Sequence, residues 1–193
     1  MMGEDALFSG SVSAATPRMI TQALQSFLYM DHPWTEQLEG QRVLVVHPFA
    51  DSIIDQYDEH REEIWPGTRI LPEFADMEVV ETPMTIGGKG DDEDWGDTLD
   101  TLKDTISDSD CDEGFDVALI GCGGYGLPLA AHVRVLGKKA IHLGGTLQLL
   151  FGIKGHQWDD RNQIKRFYND AWIRPADSER PDDYEKVERG GYW

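Results

Sequence analysis

The segment Gly121-Cys122-Gly123-Gly124-Tyr125-Gly126 matches the pattern G-x-G-x-x-G at Gly121, Gly123 and Gly126. It follows the apolar run FDVALI and precedes LPLAAHVRVLG, a strand-to-helix transition by composition, with Pro128 in the first helical turn. Glycines in that setting permit a tight turn and a close approach of backbone amides. The first N–H groups of the helix then face an anion along the helix dipole. A phosphate suits such a turn, with the amides of Gly123, Gly124, Tyr125 and Gly126 as donors. A nicotinamide or flavin dinucleotide would further require Asp or Glu at the end of the next strand, for the adenine ribose hydroxyls. His142 and Gly144 stand there instead. The competing structural reading is that the glycines only let the helix pack closely on the sheet.

Other polar residues fall where strands are expected to end: His47, Asp51, Glu73, and His142 with Gly144-Gly145. Ligands of open α/β sheets bind beyond the carboxyl ends of strands, so these residues are the candidate catalytic groups. His47, Asp51 or Glu73 would deprotonate an acceptor hydroxyl, and the His142 imidazole would meet a phosphate or a hydroxyl. Each has a plainer role: His47 precedes Pro48 at a strand end, Asp51 is an equally good helix N-cap, and Glu73 suits an exposed loop. His132, on an apolar helix face, reads as a core histidine. Gln148 and Lys154 can hydrogen-bond a ligand from the last glycine-rich segment. Between Arg134 and Arg166, Arg134, Lys138, Lys139, Lys154, Arg161, Lys165 and Arg166 face only Asp159 and Asp160. That local excess of positive charge would attract an anionic ligand near the glycine turn, or is chance clustering on a helix face.

These residues need a frame. The stretch TPRMITQALQSFLYM has helical spacing, with Ile20, Leu24, Phe27 and Leu28 on one face and Thr16 as N-cap before Pro17. RVLVVHPF is a continuous apolar run of the kind buried on both faces of a parallel sheet. DSIIDQYDEHREEIW predicts a helix capped by Asp51 or Ser52 and closed by Pro66-Gly67. TRILP and MEVVE predict strands, DWGDTLDTLKDTI a polar helix, KKAIHLGG the last strand, and TLQLLFGIKG a short helix or turn. The alternation predicts an α/β fold: a Rossmann-like, doubly wound, mostly parallel sheet with helices on both faces, in a single domain. Residues 1–40 read as an N-terminal helical extension, 41–157 as the Rossmann-like domain, and 158–193, rich in aromatics, Pro and charge, as a wrapping tail.

At 193 residues and 40% hydrophobic content the chain can bury one sizeable core. The formal charge of −19 argues against nucleic acid and anionic membrane as general partners. It is compatible with adaptation to high salt, as in a halophile. No apolar run of transmembrane length and no secretory signal is evident, so a cytoplasmic protein without membrane insertion is expected. Cys111 and Cys122 have neither zinc-site spacing nor a disulfide framework around them. The acidic DDEDWGD reads as a solvated cap, and no metal site is assigned.

Three blocks, HPWTEQLEGQRVLVVHPFADSI, FDVALIGCGGYGLPLAAHVRVLGKKAIHLGGTLQLLFGIKG and the terminal VERGGYW, resemble an uncharacterised bacterial family often associated with surface-polysaccharide genes. The resemblance runs from Pro33 to Trp193. The second block also looks like the Rossmann-like C-terminal half of glycosyltransferases of the D-type fold, in which a strand, a glycine turn, a helix and a strand ending in a glycine pair form the nucleotide-sugar domain. Those enzymes carry an acidic D-x-E metal motif near the N-terminus. Here only GEDA, Gly3 to Ala6, is found in that region, without the spacing, so the resemblance does not bring a divalent metal with it. What it implies is a glycosyltransferase-like domain for polysaccharide biosynthesis, with a nucleotide-diphosphate sugar as its small-molecule ligand. The alternatives are a non-catalytic nucleotide-binding or interaction module and, third, an NAD(P)-dependent oxidoreductase. Six tryptophans and an aromatic C-terminus suit a homo-oligomer or a polysaccharide-assembly partner.

Overall fold

The computed structural model describes residues 24–87, 94–109 and 114–193. The helix expected from Thr16 through Ile20, the acids Asp91, Asp92 and Glu93, Cys111, and Gly3 to Ala6 lie outside them. Four parallel strands form one sheet: β1 (Arg42–His47), β2 (Asp76–Glu81), β3 (Val117–Ile120) and β4 (Lys139–His142), in the order β2-β1-β3-β4. In the central strand β1, Val43 and Val45 face one core while Leu44 and Val46 face the other. The run is apolar at every position because both faces are covered. This is a Rossmann-like α/β domain with helices on both sides of a parallel sheet.

One face carries α1 (Ala50–Ile64), which contributes Ile53 and Ile64, and the short α4 (Leu147–Leu150). The other carries α2 (Trp95–Asp108) and α3 (Gly126–Val135). Thr98, Leu99, Leu102 and Ile106 give α2 its buried stripe at helical spacing, and Asp94 caps it by accepting from the Gly96 and Asp97 amides. His132 is half-buried rather than in the core, its Nε2 at 2.9 Å from Ser107 Oγ, which ties α3 to α2.

Three local expectations are corrected. The N-cap of α1 is Phe49, not Asp51 or Ser52. The capping carboxylate comes from far along the chain: Glu179 accepts the Ser52 amide at 3.0 Å and the Ser52 hydroxyl. Ser52 is buried inside the first turn, where its hydroxyl also accepts the Ala176 amide of the tail at 3.0 Å. Second, TRILP forms no strand. Ile70 and Leu71 are buried as side chains, without a ladder. Third, Ser26–Leu28 is a single 3-10 turn rather than the end of an α-helix, with Phe27 stacked on Trp65 at 5.7 Å between ring centroids.

The tail lies over the α1 face and adds only an isolated bridge, Ile153 to Ile173. It includes two one-turn helices, α5 (His156–Asp159) and α6 (Asn162–Lys165). Trp158, Trp172 and Trp193 are buried in the same core as Ile53 and Phe151. Trp172 Nε1 donates to the Ile64 carbonyl at 3.1 Å and closes the end of α1. Among the described residues no helix is long and apolar enough to cross a membrane.

Candidate ligand-binding site

The chain leaves β1 for β2 on one side, then crosses to β3 on the other, so the order reverses between β1 and β3. The loops after those two strands must diverge there and leave a crevice at the carboxyl edge. A cavity of about 400 Å³ occupies it, within the usual size range of small-molecule sites. All four strand ends contribute: His47 to Phe49 after β1, Thr82 to Ile86 after β2, Gly121 to Tyr125 after β3, and Gly144-Gly145 after β4. Trp95 from the start of α2, Gln148 from α4, and Lys186, Val187, Glu188 and Tyr192 from the tail complete the wall.

The glycine turn owes its shape to two constraints. Gly123 has φ +58°, a left-handed conformation that strains any residue with a Cβ. At Gly121 a Cβ would come within 2.8 Å of both the Gly144 carbonyl oxygen and His47 Cδ2, so the turn touches both neighbouring loops. Beyond Gly121 the turn is open: around Gly124 the nearest atom to an added Cβ is Trp95 Nε1, at 3.9 Å. The Trp95 and Tyr125 rings stack nearly parallel, 5.4 Å between centroids, while Trp95 stays about half exposed. Tyr125 Oη lies 3.2 Å from Thr85 Oγ1, which fixes the lower ring of the pair.

His47 is buried, its Nδ1 accepting the Phe49 amide at 3.0 Å, and burial lowers its pKa to about 3. Gln148 is wholly buried. Its Nε2 donates to the carbonyls of Ile153, Lys154 and Tyr192 at 3.3, 3.2 and 3.1 Å, which fastens the last residues of the chain to the cavity floor. Its Oε1 is buried and accepts no hydrogen bond among the described residues. Cys122 is a free thiol pushed up to about 12 by burial, so it holds no thiolate at neutral pH. Glu188 and Arg189 occupy the left-handed region at φ 48° and 57°, consecutive strained residues of the kind that concentrate at functional sites.

Of the residues named from the sequence, the cavity brings together His47, Gly121, Gly123, Gly124, Tyr125, Gly144, Gly145 and Gln148. It does not include Asp51, Glu73, Gly126, His142 or Lys154. Asp51 is exposed on the first turn of α1. Glu73 precedes β2, and its carbonyl accepts the Gly40 amide ahead of β1, so it sits at the amino edge of the sheet, opposite the crevice. His142 turns its ring onto α3: an added Cβ at Gly126 would lie 2.1 Å from His142 Cε1. That contact is why Gly126 is glycine, and it makes Gly126 a packing residue. Lys154 sets its ammonium over the Tyr168 ring, 5.5 Å from the centroid. The basic segment does not surround the turn either. α3 carries the chain back across the sheet, and Lys139 opens β4 at the amino edge.

Sequence reasoning missed Trp95, Thr85, Lys186 and Glu188. The first sits next to the acidic loop read as a solvated cap, and Glu188 lies inside the VERGGYW block, whose recurrence in the resemblance was its only signal. Among the described residues, no group of three or more His, Cys, Asp or Glu could hold a metal ion. Comparison with protein-family models, curated proteins and solved structures finds no match to this chain.

Proposed function

We propose that the crevice binds a nucleotide-diphosphate sugar and that the chain is a glycosyltransferase-type domain. The observation that carries this reading is a glycine turn that opens the ten-residue helix α3 on the wall of the switch-point cavity, next to a half-exposed stacked aromatic pair. Main-chain amides and the helix dipole suit a diphosphate. The free face of Trp95 suits a flat base or the apolar face of a sugar ring. Cations contribute little here: Lys186 is the only Lys or Arg among the described wall residues, and it is paired with Asp183 at 2.6 Å. With Asp51 and Glu73 elsewhere, Glu188 is the only carboxylate among the described wall residues and takes their place as candidate base for an acceptor hydroxyl. A second reading, a nucleotide-binding module without catalysis, is favoured by the lack of any second carboxylate among those described residues.

A ligand that binds only the folded chain raises its melting temperature by mass action. Nucleotide-diphosphate sugars, nucleoside diphosphates and nicotinamide dinucleotides, each with and without manganese, are the compounds to screen. The expected result is a shift with a nucleotide sugar that disappears in Gly124→Leu, a variant that extends a side chain into the open part of the turn from a Cβ with no backbone atom within 4 Å. No shift with any of them rejects the proposal. A shift without sugar transfer or hydrolysis selects the non-catalytic module.

A further inference from the structure

The histidine at the end of β1 faces the cavity in a defined chemical state. A neutral imidazole has one N–H and one lone pair. The Phe49 amide, 3.0 Å from Nδ1, can only donate, so the lone pair is on Nδ1 and the proton on Nε2. The Phe49 amide is itself fixed, because Phe49 is fully buried and T-stacked on Trp193 at 5.5 Å. The His47 ring edge bearing Cδ2, bonded to Nε2, packs against Gly121, the first residue of the glycine turn.

We propose that His47 is a permanently neutral hydrogen-bond donor, its Nε2–H presented beside Gly121 to an oxygen of the bound ligand, and that it does not act as a base. The oxygen is of phosphoryl or carbonyl type, an acceptor without a proton of its own to offer. The proposal deepens the nucleotide-sugar reading and rests on it for the identity of that oxygen. A base at this position would need its lone pair on Nε2, and hence a protonated Nδ1 that would oppose the Phe49 N–H. Among the described wall residues the charged groups are Glu188 and Lys186, the latter paired with Asp183, and neither hydrogen-bonds the ring. Burial is what acts on the imidazole, and it keeps the ring uncharged well below neutral pH. A neutral imidazole serving as a fixed electrophile is an established use of histidine.

The test begins without ligand. The full chain, labelled with 15N at its six histidines, is followed by two-bond 1H–15N correlation from about pH 5 to 8. One histidine, identified by its loss in His47→Gln, is expected to show the Nε2–H pattern throughout and not to titrate. An Nδ1–H pattern, or a midpoint near the ordinary value of about 6.5, overturns the proposal. The second arm measures binding of UDP-glucose, whose diphosphate does not titrate in this range. His47→Gln, which keeps an N–H donor, is expected to hold affinity within about threefold, and His47→Phe to lose about tenfold or more. Affinity in the wild type is expected to be flat with pH. A wild-type profile with a midpoint that vanishes in His47→Gln, or equal binding by His47→Phe, rejects the donor role. If UDP-glucose fails to bind at all, the nucleotide-sugar reading falls, while the spectrum still decides the state of His47.

Discussion

Two turns end the last two strands of the sheet, and they are built alike. Gly123-Gly124-Tyr125 and Gly144-Gly145-Thr146 each begin with a glycine in the left-handed region, at φ 58° and 60°, make one 3-10 turn, and start a helix. Their surroundings differ. After β3, an added Cβ at Gly124 would meet nothing closer than 3.9 Å, and the turn opens onto the cavity and the Trp95–Tyr125 pair. After β4, Gly144 and Gly145 also line the cavity, but Tyr192 of the tail covers part of the turn: an added Cβ at Gly145 would lie 2.3 Å from its Cε1. The helices that follow differ too: α3 has ten residues and α4 only four, so only the first turn opens a helix long enough to have an appreciable dipole. Local backbone geometry is therefore not what leaves a glycine turn open to the cavity. What the rest of the chain packs against it decides.

The two turns touch at Gly121, and a substitution there has the largest expected effect. Gly121→Ala puts a Cβ 2.8 Å from the Gly144 carbonyl oxygen and 3.0 Å from Leu147 Cβ. Overpacking against backbone, with no flexible side chain to give way, should cost about 3 kcal/mol, read as a shift in the denaturant midpoint at constant slope. A change below about 1 kcal/mol would mean that the two loops move independently.

The next effect is one of pH. His47 binds a proton at about 3 in the folded chain and near 6.5 when unfolded, so between those values the unfolded state holds one proton more. Its contribution to stability is complete above about pH 6.5 and falls by up to about 1.4 kcal/mol per pH unit as the solution is acidified toward pH 3. Chemical denaturation of the wild type and of His47→Gln across that window should show profiles that converge in acid. Parallel profiles would show a histidine that titrates normally.

The smallest effect separates backbone from function. Gly123→Ala and Gly144→Ala impose the same left-handed strain and should each cost about 1 kcal/mol. Nucleotide-sugar binding should suffer in the first variant only. Equal losses of binding would move the site toward the second turn and away from the reading given above.

Several features could be read in the sequence because they depend on neighbours along the chain. The continuous apolar run of β1 requires two covered faces, and the Gly-x-Gly-x-x-Gly segment between an apolar run and a helix locates a strand-turn-helix corner. Glu73 shows where such reading stops. TRILP has strand composition, but Ile70 and Leu71 find their burial without a ladder, and this puts Glu73 before β2 instead of after a strand. The basic cluster fails for a related reason. The ten residues of α3 advance about 15 Å, enough to carry Arg134 and Lys139 to the opposite edge from the glycines beside them in sequence.

By itself the sequence determined the alternation of strands and helices, and hence a parallel α/β sheet with its glycine turn at a carboxyl edge, because periodicity and turn chemistry are local properties. Only the tertiary structure decided which turn is open and which is covered, and that Glu179 rather than Asp51 or Ser52 caps α1. It also decided that His142 faces a helix while His47 faces the cavity as a neutral donor. The covered turn and the cap depend on contacts with the last forty residues, whose aromatic side chains have no periodicity to reveal where they pack, and the His142 and His47 placements depend on how helix and turn meet at the sheet edge.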